Sequence, residues 1–252
     1  MMRRLLPALI ALLALSRAAQ ADPDALWKIV SEKCVPNWRE YGEAKPCAMV
    51  DSGVNSQGGY AVLKDLVGDT QYLLIPTAKV TGIEDPQLLA PAAPNYFADA
   101  WAERHFVTDA AKRDLPRDML SLAVNSIYGR SQNQLHIHLD CVAPAVRAAI
   151  AENIAAIADR WGPFAVPLAG HRYSAIRIAG DNLGAFDPFR SLADYVPGAR
   201  EAMANQTLVA VGAVFEGGAP GFVILADHAD LATADSGAGE ELQDHSCALA
   251  RH

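Results

Sequence analysis

The pattern of apolar residues predicts an α+β fold, with an antiparallel sheet packed against helices. Two strand-like runs, residues 60–66 and 71–76, flank the tight turn Gly68-Asp69. A second pair, 207–215 and 221–226, flanks Glu216-Gly217-Gly218-Ala219-Pro220, a hairpin connection. The helical patterns do not alternate strictly with the strands, which disfavours a doubly wound parallel sheet.

Taken in order, Met1-Met2-Arg3-Arg4, the apolar run 5–15 and Ala19-Gln20-Ala21 have the layout of a secretory signal. Eleven apolar residues fall short of the roughly 20 that span a bilayer, so cleavage after Ala21 is expected, with retention as an anchor the other outcome. The chain is therefore expected in the periplasm, associated with or anchored to the inner membrane. Residues 22–252 contain no repeat, low-complexity tract or linker and are expected to form one domain. The leader holds three of the 21 Lys/Arg (Arg3, Arg4, Arg17) and no acid, leaving 18 against 29 Asp/Glu, a formal charge of −11. That balance argues against nucleic acid as a partner.

Residues 24–33 read as a helix leading into a cysteine-bounded loop, and Gly58-Gly59 introduces the strand at 60–66. After the strand that Pro76 ends, a proline-rich loop runs to Pro94. A helix then reaches about Lys112, with Phe97 and Trp101 on one face. Residues 120–125 form a strand, 126–133 a polar loop around Gly129, and 134–142 another strand. Pro144 opens a second long helix, with Val146, Ile150, Ile154, Ile157 and Trp161 on one face before Gly162-Pro163 stops it. A further strand is expected at 173–178.

Four cysteines in an exported chain point to two disulfides, and four allow three connectivities. The favoured pairing joins Cys34 to Cys47 around Pro36 and Pro46, and Cys141 to Cys247, which ties the C-terminus to the centre and restricts the unfolded chain more. No Cys-x-x-Cys pair supports a zinc site.

The chemistry concentrates in Gln134-Leu135-His136-Ile137-His138-Leu139-Asp140-Cys141. On a strand, Leu135, Ile137, Leu139 and Cys141 share one face, while Gln134, His136, His138 and Asp140 share the other, about 7 Å apart. Three readings stand at this point: structural histidines, a metal-ligating pair, and phosphoryl chemistry by imidazole. A metal needs a third ligand, and the next Glu is Glu152 in the expected helix, so neither metal nor cofactor is expected. Neutral imidazole attacks phosphorus at neutral pH, and Asn125, Gly129, Arg130 and Ser131 in the preceding loop are candidate donors to phosphate oxygens.

The segment 125–138 resembles the histidine-triad hydrolases and transferases. On their pattern Asn125 matches the Asn, Gly129-Arg130-Ser131 the turn with its phosphate-binding Ser, His136 the nucleophile and His138 the third His. Gln134 stands where the first His is usual, and an amide cannot change protonation state there. Residues 71–76 resemble the same family's early strand, again with Gln71 in place of a His.

Across nearly all of 22–252 the chain resembles the CDP-diacylglycerol pyrophosphatase family. The matches are Cys34-Val35-Pro36-Asn37, Pro46-Cys47-Ala48, 59–66, 71–77, 121–126, Gly129-Arg130, Gln132-Asn133, His136-Ile137-His138, Cys141, Gly170-His171, Asp244-His245 and Cys247. The resemblance implies hydrolysis of CDP-diacylglycerol to CMP and phosphatidate through a CMP–His136 intermediate, on a lipid-linked nucleotide substrate at the membrane surface. His138 would orient the nucleophile or donate to the phosphate. Outside the motif, His171 would lie near the phosphates, Asp140 would steer His138, and His245 would be structural. A histidine-triad enzyme of soluble phosphoanhydrides and a non-catalytic periplasmic nucleotide binder are the alternatives. An apolar groove beside His136 would distinguish a lipid substrate.

Overall fold

The computed structural model describes residues 22–54 and 57–251; the leader, 1–21, lies outside the described residues. Helix α1 (Ala25–Ile29) continues through a π-turn (Val30–Cys34) into α2 (Val35–Tyr41), so the helical run expected to stop near Lys33 extends to Tyr41. Pro36 has no N–H to give the preceding turn, and the wider π-turn just before it absorbs the mismatch. Gly42, at φ 70°, ends the run, its N–H donating to the Trp38 carbonyl at 3.0 Å.

Among the described residues nine strands form one sheet. They are β1 (Met49–Val54), β2 (Gln57–Lys64), β3 (Tyr72–Pro76), β4 (Leu120–Val124), β5 (Ile137–Cys141), β6 (Gly162–Pro163), β7 (Ser174–Ala179), β8 (Gln206–Val214) and β9 (Pro220–His228). Their order is β1-β2-β3-β5-β4-β8-β9-β7-β6, and every neighbouring pair is antiparallel. Both expected strand pairs form. β1 was not anticipated, because Asp51, Ser52 and Gly53 carry little strand preference; pairing with β2 supplies what propensity does not. β2 ends at Lys64, so Leu66 and Val67 project from the turn instead of lying in the ladder.

The helix expected from Pro94 to Lys112 is two: α3 (Tyr96–Ala102), capped by Asn95, and α4 (His105–Ala111). Arg104 Nη1 donates to the Trp101 carbonyl at 2.7 Å, engaging the acceptor that a continuing helix would offer to residue 105. Helix α5 (Pro144–Asn153) likewise stops short of Trp161. Asn153 Nδ2 bonds the Ala149 carbonyl at 2.8 Å, and a tight turn (Ile154–Ala156) delivers Ile157 to the core from outside the helix. Helix α6 (Pro188–Tyr195), not anticipated, starts at Asp187, which accepts from the N–H groups of Phe189 and Arg190. Both disulfides pair as favoured, Cys34 with Cys47 and Cys141 with Cys247.

Strand alternation sorts the core. Leu122, Ile137, Leu139, Leu208 and Ile224 pack with Phe97, Trp101 and Phe189 of α3 and α6 on one face. On the opposite face Ala123, Val209 and Val211 pack under Val146 and Ile150 of α5, while Leu73 and Ile75 pack under Val30 and Cys34. His138 pairs with Leu73 on one side and Ala123 on the other. It therefore stands in the gap between two covers of the same sheet face.

Candidate active site

β5 begins at Ile137, so His136 lies one residue before the ladder, in extended chain held by the Leu135 N–H donating to the Val80 carbonyl at 2.6 Å. His136 Nδ1 is 2.7 Å from the Gln134 carbonyl. A carbonyl only accepts, so Nδ1 carries the proton and Nε2 keeps its lone pair. Burial, reinforced by the neighbouring His138, pushes the His136 pKa down to about 4. The ring is thus neutral and nucleophilic at neutral pH.

The His138 ring centroid is 4.9 Å from that of His136. Gln71 Nε2 lies 2.6 Å from His138 Nδ1, and with the amide in this orientation Gln71 donates and the proton of His138 sits on Nε2. That Nε2 is buried without a hydrogen-bond partner among the described residues, a donor prepared for a group that enters the cavity. Burial lowers this pKa to about 4 as well, outweighing the pull of Asp65.

A cavity of about 650 Å³ opens in front of both rings. Its polar wall includes Asn125, Gly129, Arg130, Ser131, Gln132 and Glu240, and its apolar wall Leu26, Ile29, Leu63, Leu66, Val67 and Leu73. An apolar groove beside His136 is therefore present. Leu66 is fully exposed and Val67 more than half exposed at its mouth.

Asn125 and Glu240 clasp each other: Asn125 Nδ2 donates to Glu240 Oε1 at 2.9 Å, and the Glu240 N–H donates to Asn125 Oδ1 at 3.2 Å. Glu240 Oε2 also lies 3.3 Å from His138 Nδ1. Gly129 is where the segment after β9 presses on the loop; a Cβ there would sit 2.9 Å from the Gly237 carbonyl.

Several expected roles change. Gln134 does not flank the histidines in the cavity: its buried side chain donates to the carbonyls of Pro76 (3.1 Å) and Ala78 (2.8 Å), pinning the chain after β3. Arg130 reaches the wall, but Glu84 holds its guanidinium through two bonds of 2.6 Å, so its charge is already balanced. Lys64, not singled out from the sequence, donates to the backbone carbonyls of Asp65 (3.0 Å) and Gly68 (2.9 Å) and lies over the Tyr72 ring, on the sheet face opposite His138, so its ammonium holds the β2–β3 turn.

His171 is not on this wall; its Nδ1 donates to Glu241 at 2.8 Å, and that bond raises its pKa. Asp140 does not hold His138. Fully buried, it accepts from Thr70 Oγ1 (2.6 Å), the Cys141 N–H (2.8 Å) and His245 Nδ1 (2.8 Å), and it raises the pKa of His245.

Residues 21–251 match the family model described as CDP-diacylglycerol pyrophosphatase. A Yersinia pestis protein named CDP-diacylglycerol pyrophosphatase is 44% identical over 232 residues, covering 92% of this chain and 87% of that protein.

Proposed function

Because the chain belongs to the CDP-diacylglycerol pyrophosphatase family, we propose that it hydrolyses CDP-diacylglycerol to CMP and phosphatidate through a covalent nucleotidyl–His136 intermediate of histidine-triad type. The observation that carries this reading is His136 itself, a neutral imidazole with its Nε2 lone pair free, in a cavity polar on one side and apolar on the other.

The lone pair of His136 Nε2 attacks the cytidylyl phosphorus; the N–P bond forms and the bond to the bridging oxygen breaks, releasing phosphatidate. The ring becomes cationic, and its Nδ1–H bond to the Gln134 carbonyl strengthens as it does so. Nε2–H of His138 stabilises charge on the phosphate oxygens. Water then attacks the same phosphorus, CMP leaves, and His136 returns to its neutral form. The leaving phosphate is a weak base, so loss of a proton-relaying His at 134 is tolerable.

Acyl chains follow the apolar wall toward Leu66 and Val67, which meet the bilayer surface. Two disulfides and the arginine-led apolar leader favour a site outside the cytoplasm, at the inner membrane. Among the described residues no helix is long and apolar enough to cross a membrane.

The test is CMP release from CDP-diacylglycerol in mixed micelles, set against CDP-glycerol, which lacks the chains. Release that His136→Ala abolishes and that favours the acylated substrate supports the reading. Equal turnover of both substrates overturns the lipid assignment, and an active His136→Ala overturns the nucleophile.

A further inference from the structure

On the far side of the C-terminal segment from the cavity, three elements bring together side chains that the proposed reaction does not use. His171 precedes β7, Asp227 is the penultimate residue of β9, and Asp235 lies in the segment 229–243 that follows it. One ligand atom from each lies within 4.8 Å of the other two. A cation bonded at about 2.0–2.3 Å holds its ligand atoms roughly 3–4.5 Å apart, so only small adjustments separate this cluster from a coordination shell.

The polar partners do not account for the whole cluster. Asp227 and Asp235 are 8% and 5% exposed. Asp227 Oδ1 accepts from the His228 N–H at 2.7 Å, but its Oδ2 is buried with no hydrogen-bond partner among the described residues. Asp235 Oδ1 accepts from the Gly237 N–H at 2.8 Å and lies 3.7 Å from His171 Nδ1. The same His171 nitrogen is 2.8 Å from Glu241 Oε1. Three carboxylates therefore surround one imidazole, and even a protonated ring leaves negative charge uncompensated where water is largely excluded. Burial and the neighbouring Asp235 push the Asp227 pKa up to about 7.

We propose that His171, Asp227 and Asp235, with Glu241 beside them, bind one divalent cation that fastens segment 229–243 to the sheet. The donor set, one imidazole nitrogen with carboxylate oxygens, suits Mn2+ or Zn2+. Imidazole and carboxylate ligands must be free of protons to coordinate, so binding weakens on acidification. The same segment carries Glu240, which clasps Asn125 and stands 3.3 Å from His138. The cation is thus structural and steadies one wall of the cavity from behind, and the inference does not depend on the substrate proposed above.

The test uses the full chain stripped with EDTA and titrated separately with MnCl2 and ZnCl2, read by calorimetry and by the thermal midpoint. One cation per chain is expected, with the midpoint rising by about 5–10 °C at a hundredfold excess over Kd. Asp235→Asn abolishes both responses, and His171→Gln weakens binding at least ~10-fold. Asp227→Asn is the folding control, because removing a desolvated carboxylate leaves the metal-free midpoint at or above wild type while abolishing the response to metal. Absence of saturable binding by the wild type up to about 1 mM, or undiminished binding by Asp227→Asn and His171→Gln, overturns the proposal.

Discussion

Two pairs of histidines have their pKa values pushed in opposite directions, and what surrounds their rings accounts for the difference. His136 meets a backbone carbonyl and His138 an amide, both within the sheet, and burial drives both toward the neutral form. His171 and His245 meet carboxylates, Glu241 and Asp140, and both are raised toward the cation. Strand alternation puts Asp140 on the same face as His138, yet its carboxylate turns to the C-terminal tail. Had it turned to His138, it would have raised the pKa of that ring as it raises that of His245. The chemistry of an imidazole here follows its hydrogen-bond partner and its burial more than its spacing in the chain.

The largest expected effect comes from removing the neutral nucleophile: His136→Ala lowers kcat for CMP release by on the order of 10³-fold or more, measured in micelles with folding checked by circular dichroism. His138→Ala, which deletes the buried donor, lowers kcat by about 10²-fold with a smaller change in KM. A more direct way to break the contrast is Gln71→Glu, which gives His138 the kind of partner that His171 and His245 have. In the wild type, kcat/KM falls only as pH drops through about 4, where His136 gains a proton and loses its lone pair. In Gln71→Glu the new carboxylate raises the pKa of His138, so that ring titrates by NMR well above the wild-type value of about 4. A His138 titration unchanged from wild type would show that Gln71 does not set the state of that ring.

The smallest effect tests the charged pair. The raised pKa of His245 contributes stability that is fully present below its unfolded value of about 6.5 and is lost as pH rises through the folded value. His245→Gln should therefore cost about 1 kcal/mol in urea unfolding at pH 5.5 and distinctly less at pH 9. An equal loss at both pH values would place the contribution of His245 in packing instead of charge.

Local signals were enough for much of this. The β2–β3 and β8–β9 pairs, β4, β5 and both disulfides follow from alternation, turn residues and the cysteine arrangement. His136 was legible because the motif around it is contiguous. The residues that set its surroundings were not, because they arrive from far along the chain. Glu240 reaches Asn125 across 115 positions, and no local feature of Gly239-Glu240-Glu241 announces it. Glu84 neutralises Arg130 across 46 positions and removes the phosphate-binding role that its place in the turn suggested. Gln134 shows the complementary failure. Its position was read correctly, but the backbone leaves the ladder at that point, and its amide turns to Pro76 and Ala78. The helix ends were lost to side-chain contacts at Arg104 and Asn153, whereas Asp187-Pro188 was a legible cap that went unread.

The central claim is that phosphorus passes through His136, and the most direct test is the stereochemical course at that atom. CDP-diacylglycerol made chiral with sulfur at the cytidylyl phosphorus is turned over in 18O water, and the configuration of the thio-CMP product is determined. Two in-line displacements, first by His136 Nε2 and then by water, predict net retention. Net inversion would mean that water attacks directly, and would contradict the covalent intermediate even if His136→Ala were inactive.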